Sequence, residues 1–159
     1  MGNNTQDIVF IQNTLSILKQ YDSFKKELEQ SYARSLFINS CVGLLVVPRS
    51  NDKVFDELSK ENISNGKWCI REENITLNIE GDFSVGAIAR HLRNSVMHNR
   101  LTYDCDLCSS TVIKEITFCD KKEKDVDYNF QATLKFEIFR EFVLTLAQYA
   151  LDVLEGKVK

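Results

Sequence analysis

Residues 90–100 read Arg90-His91-Leu92-Arg93-Asn94-Ser95-Val96-Met97-His98-Asn99-Arg100, and both histidines of the chain fall inside this stretch. An imidazole exchanges protons near neutral pH, and a guanidinium grips phosphate oxygens through a rigid fork of N–H donors. Such groups could transfer protons and hold an anion. Arg90, Arg93 and Arg100 make the stretch locally basic in a chain of formal net charge −3. Spacing alone leaves the chemistry open. Arg93 and His98 are five residues apart, which on a regular helix is roughly 140° around the axis. They converge only if the helix ends near His98, if the arginine reaches around, or if two copies of the helix meet. The plainer reading has Arg93 and Asn94 solvated and His98 near the negative end of the helix dipole.

The element that carries these residues is a helix from Val85 to about Arg100, with Ser84 as its N-cap. Val85, Ile88, Ala89, Leu92 and Val96 recur at helical spacing and commit one face to a core, and Asn94 falls four residues before His98, on its side. Two further helices are expected ahead of it. Residues 7–30 carry a stripe of Ile8, Ile11, Leu15, Leu18, Tyr21, Phe24 and Leu28. Residues 31–47 carry Tyr32, Leu36, Phe37, Cys41, Leu44 and Leu45, and Pro48 stops that helix. A short helix fits Val54 to Leu58. Residues 67–80 read as extended, since Ile75, Leu77 and Ile79 alternate with Thr76 and Asn78 before Gly81-Asp82 closes the segment.

Val112 to Cys119 and Tyr128 to Phe136 also alternate, on either side of a charged turn from Asp120 to Asp125 that reads as solvated, so a hairpin is expected at roughly 112–136. From Glu137 to Leu154 the period returns to helical. The expected fold class is mainly α, a four-helix bundle with a small β hairpin. Neither a Pro/Gly/Ser-rich linker nor a repeat divides the chain, so one domain over 1–159 is expected.

Composition narrows the function classes. A net charge of −3 argues against tight nucleic-acid binding by bulk electrostatics, but not against an RNA-cutting enzyme with a local cationic site. No apolar run approaches the ~18 residues a membrane span needs, and Met1 to Asp7 contains no basic leader. A cytoplasmic protein with no membrane partner is expected. The cysteines are Cys41, Cys69, Cys105, Cys108 and Cys119; an odd number without an export signal points to reduced, metal-free thiols. Cys105-Asp106-Leu107-Cys108 is a lone C-x-x-C, and a zinc module built on it stays open as an alternative. No glycine-rich phosphate loop, Ser-His-Asp order or paired metal-binding carboxylates stand out, so no cofactor is expected.

Leu92-Arg93-Asn94-Ser95-Val96-Met97-His98 resembles the signature of the HEPN superfamily, an arginine followed by a polar residue and then a histidine at short spacing. The stretch from Leu36 to Pro48, and Ile116-Thr117-Phe118 with the turn, strand and helix that follow, are also similar to bacterial HEPN-family nucleases. The resemblance covers most of the chain. It implies a helical bundle, a homodimer with the signature at its cleft, and a metal-independent endoribonuclease of toxin–antitoxin or phage-defence type. It assigns His98 as general acid or base, Arg93 as the group that stabilises phosphoryl charge, and Asn94 as an orienting or phosphate-binding residue. Arg90, Arg100 and His91 are the RNA-binding candidates, against a plainer reading of two solvated arginines and a surface histidine. Implied partners are the RNA substrate, a second copy of the chain, and an antitoxin or regulatory protein such as a minimal nucleotidyltransferase. The alternative is a non-catalytic HEPN module that binds a nucleotide or a partner.

Overall fold

The computed structural model describes residues 4–24, 38–46, 51–105, 113–122 and 124–158, without the side chains of 21–24 and 105. Among them are five α-helices: α1 (Asn4–Phe24), α2 (38–46), α3 (Asp52–Lys60), α4 (Val85–Met97) and α5 (Phe136–Leu154). The described residues also hold four strands: β1 (Ile75–Asn78), β2 (Leu101–Cys105), β3 (Ile113–Asp120) and β4 (Phe130–Lys135). They form one antiparallel sheet in the order β1-β4-β3-β2.

This corrects the expectation of a mainly α bundle with a small hairpin; the fold is mixed, helices on a four-stranded sheet. The hairpin itself is present, with Asp120 opposite Phe130 and Glu115 opposite Lys135. What the alternation did not convey is that both of its edges are occupied. A hairpin leaves a row of unpaired backbone groups on each side. β2 covers the β3 edge, with Leu101 opposite Phe118 and Tyr103 opposite Ile116, and β1 covers the β4 edge, with Ile75 opposite Ala132. Both added strands are short, and their pairing is decided by the partner edge rather than by their own pattern.

Alternation along the two central strands sends Ile116, Phe118 and Asp120 of β3, and Phe130, Ala132 and Leu134 of β4, to a single buried face. Helices α4 and α5 pack on that face: His91 stacks on Phe130, and Phe139 packs against Phe118 with ring centroids 5.0 Å apart. On the opposite face the hydroxyls of Thr117 and Thr133 share a hydrogen bond of 3.0 Å.

The helices close the core. The α1 stripe buries Ile11 and Leu18, while Tyr21, Phe24 and Leu28 lie outside the described side chains. Of the expected second helix, 38–46 is helical with Cys41, Leu44 and Leu45 buried; Tyr32, Leu36, Phe37 and Pro48 lie outside the described residues. Asn51 caps α3 by accepting from the Val54 N–H, and its own amide donates to Asp7 at 2.8 Å, which ties α3 to the first turn of α1. Within 67–80 only Ile75–Asn78 is strand; Trp68 is fully buried there against Phe142 and Tyr149. Among the described residues no helix is long and apolar enough to cross a membrane.

Candidate phosphate-binding and proton-transfer site

Ser84 caps α4 as its sequence indicates, accepting from the Ala87 N–H at 3.2 Å. The other end of α4 departs from expectation: the helix stops at Met97 rather than near Arg100. Asn99 adopts a left-handed conformation with φ of 51°. The Asn99 N–H then donates to the Val96 carbonyl at 3.0 Å and the Arg100 N–H to the Ser95 carbonyl at 2.7 Å. This is the Schellman closure, in which the amides of a left-handed residue and of the residue after it satisfy carbonyls the helix would leave unpaired; asparagine is one of the few non-glycine residues that tolerates it. His98 is the C-cap, with φ of −99° and ψ of 11°. Its side chain is exposed, and no described residue hydrogen-bonds its ring.

The closure reverses the chain, and Arg100 turns back toward the end of β3. There Asp120, the inward-facing last residue of the strand, is 3% exposed, and its carboxylate accepts four hydrogen bonds. They come from His91 Nδ1 at 2.8 Å, Asn94 Nδ2 at 2.9 Å, Arg100 Nη1 at 3.3 Å and the Lys121 backbone N–H at 2.9 Å. Burial alone would raise the Asp120 carboxyl. The bonds from His91 and Asn94, the electrostatic pull of His91 and the Lys121 amide outweigh it and hold the group below the usual carboxylate range. Asn94 passes the chain of bonds on, since its Oδ1 accepts from Arg93 Nη2 at 2.6 Å.

His91 is 2% exposed, which corrects the expectation of a surface histidine. Its ring is parallel to Phe130 with centroids 4.4 Å apart, and Ser95 Oγ donates to its backbone carbonyl at 2.8 Å. Arg90 donates to Glu80 at 2.7 Å, and this guanidinium is the main reason the Glu80 carboxyl lies below its usual range. Lys122 Nζ also approaches Glu80, at 3.5 Å.

The HEPN pEK499 p136 family model matches residues 1–156. The chain belongs to this family. No curated protein and no solved structure gives a significant match.

In this HEPN chain the candidate site residues therefore occupy three settings. Arg93 and Asn94 are linked to each other and to the sheet, His98 stands exposed at the helix end, and His91, Arg90 and Arg100 are engaged by the carboxylates Asp120 and Glu80. Sequence reading missed Asp120, taking it as the first residue of a solvated turn. Strand parity was the available signal: Ile116, Phe118 and Asp120 share one phase, and that phase faces the core. Among the described residues no three His, Cys, Asp or Glu side chains gather to hold a metal ion. Cys41, Cys69 and Cys119 are free thiols; Cys108 and the side chain of Cys105 lie outside the described residues.

Proposed function

We propose that this HEPN chain is a metal-independent endoribonuclease, with Arg93, Asn94 and His98 at its reacting centre. One observation carries the reading: the Arg93–Asn94 pair is anchored to the buried Asp120, while His98 caps the end of the same helix with its imidazole exposed. His98 keeps the helical bond from its N–H to the Asn94 carbonyl at 3.0 Å, so the angle to Arg93 of the same chain is kept, and a second copy of the helix is the simplest way to gather both groups around one phosphate.

The reaction is attack of a ribose 2′-OH on the adjacent phosphate. The 2′-O–P bond forms and the P–O5′ bond breaks, leaving a 2′,3′-cyclic phosphate and a 5′-hydroxyl. His98 takes the 2′-OH proton or supplies the proton to the departing 5′ oxygen. Arg93 stabilises negative charge on the non-bridging oxygens. A second copy of the chain supplies the opposite cations and the other proton-transfer group in a shared cleft. Exposed Met97, 60% accessible beside His98, is an apolar contact suited to such an interface. An antitoxin or regulatory protein covering this cleft would fit a toxin–antitoxin or phage-defence role in the cytoplasm.

A second reading has one observation in its favour. Arg90 and Arg100 are both engaged by carboxylates, which suits a HEPN module that binds a nucleotide or a partner without cutting RNA. Incubation of the purified protein with total RNA and tRNA in EDTA, beside Arg93→Ala and His98→Ala, separates the two. The nuclease gives wild-type cleavage with cyclic-phosphate ends and loses most of it in each variant. A binding module gives no cleavage by any of the three.

A further inference from the structure

Asp120 lies outside the signature helix, on the sheet, yet it receives bonds from residues on both sides of the helix end. An ionised carboxylate only accepts hydrogen bonds, and a guanidinium only donates them. Asn94 sits between one of each. Its Nδ2 must face Asp120 and its Oδ1 must face Arg93, as the 2.9 Å and 2.6 Å bonds have it. The carboxylate is itself immobilised: Oδ2 is shared by His91 and Asn94, Oδ1 by Arg100 and the Lys121 amide, and the neighbouring rings of Phe118 and Phe130 are fully buried.

We propose that Asp120 is a positioning residue, which fixes the orientation of the Asn94 amide and through it the place of the Arg93 guanidinium. This rests on the reading of Arg93 as the phosphate-binding group. Asp120 itself touches no substrate; it acts across β3 and α4.

The isosteric change Asp120→Asn shows why the charge matters and not the shape. An amide accepts on one side only. If its NH2 took the Oδ1 place it would face two donors, Arg100 Nη1 and the Lys121 N–H, so that orientation is excluded. In the other orientation the new NH2 donates to His91 Nδ1, which can become an acceptor by a change of tautomer. It then faces the Asn94 Nδ2, and Asn94 must flip. The flipped amide presents NH2 to Arg93, donor against donor, and the guanidinium moves.

The test is a cycle of wild type, Asp120→Asn, Asn94→Ala and the double variant, with kcat and KM measured on an RNA oligonucleotide in EDTA and folding checked by thermal midpoint. Asp120→Asn should lower kcat about a hundredfold, the loss expected of a reacting-group displacement near 1 Å, with KM little changed. In the Asn94→Ala background the same substitution should cost nothing further, because no amide remains to flip. An equal loss in both backgrounds, or wild-type activity in Asp120→Asn, would overturn the proposal. A measurement on the wild-type protein keeps the question open to refutation should Asp120→Asn not fold, or should the protein cut no RNA. The Asn94 side-chain amide should appear in ¹⁵N NMR as a rigid, exchange-protected pair. An Asn94 amide as mobile as that of a solvent-exposed asparagine would refute the positioning role. Absence of cleavage with a rigid Asn94 would remove the nuclease reading and leave the positioning geometry standing.

Discussion

The residues that matter most are held by a carboxylate that gains by staying charged. Asp120 is buried, and its carboxyl is held below its unfolded value despite that burial, by bonds from His91, Asn94 and the Lys121 amide. A depressed folded value means that the bonds contribute stability above the unfolded pKa of about 3.9 and lose it as pH falls through the folded value. Glu80, lowered chiefly by Arg90, acts in the same direction but is partly exposed and screened. The thermal midpoint should therefore drop as pH is taken below about 4, and Asp120→Asn should lack part of that drop. A variant with the same acid dependence as wild type would remove Asp120 as a source. His98 differs in kind: it is exposed at the C-cap, so His98→Ala should leave the midpoint nearly unchanged, within about 0.5 kcal/mol of stability. Sequence singled out Arg93, Asn94 and His98 through the resemblance of their segment to the HEPN signature. It did not find Asp120, because a run of charged residues after a strand looks like a turn unless strand parity is followed to its last residue.

At the level of elements, α4 was legible at its start and not at its end. Ser84 and the Val85–Leu92 stripe declare the helix, whereas Asn99 stops it two residues after Met97 through a backbone conformation that composition does not advertise. That closure aims Arg100 at Asp120 and begins β2, so it links the signature helix to the sheet. Asn99→Gly should preserve or slightly raise stability, since glycine takes the left-handed conformation without steric cost. Asn99→Val should lower stability by about 1–2 kcal/mol, measurable by urea denaturation, and should reduce cleavage more than the Asn99→Gly protein does. Equal stability of the two variants would show that the closure does not depend on this residue. The hairpin was legible from alternation in β3 and β4. β1 was legible as an extended segment from the alternation of Ile75 and Leu77 with Thr76 and Asn78, though not its pairing with β4; β2 was not, because a strand this short draws its identity from the edge it pairs with.

For the molecule as a whole, the mixed architecture changes what the sheet is for. The sheet is a wall against which α4 and α5 pack, and the Asp120 end of β3 is where that wall meets the signature helix. A chain of net charge −3 needs its cations concentrated to hold RNA, and pairing two copies through the α4 end is the simplest way to achieve that. Light scattering at high micromolar concentration should give a mass twice that of the chain. A strictly monomeric species would leave Arg93 and His98 of one copy to act alone.

The most direct test of the central claim is cleavage of one RNA oligonucleotide in EDTA by wild-type and His98→Ala protein, beside the same oligonucleotide methylated at the 2′-OH of the cut site. The expected result is a cyclic-phosphate product from wild type, loss of most cleavage in His98→Ala with the fold intact, and resistance of the methylated RNA. Cleavage by His98→Ala as fast as wild type, cleavage of the methylated site, or a requirement for a divalent metal would contradict it.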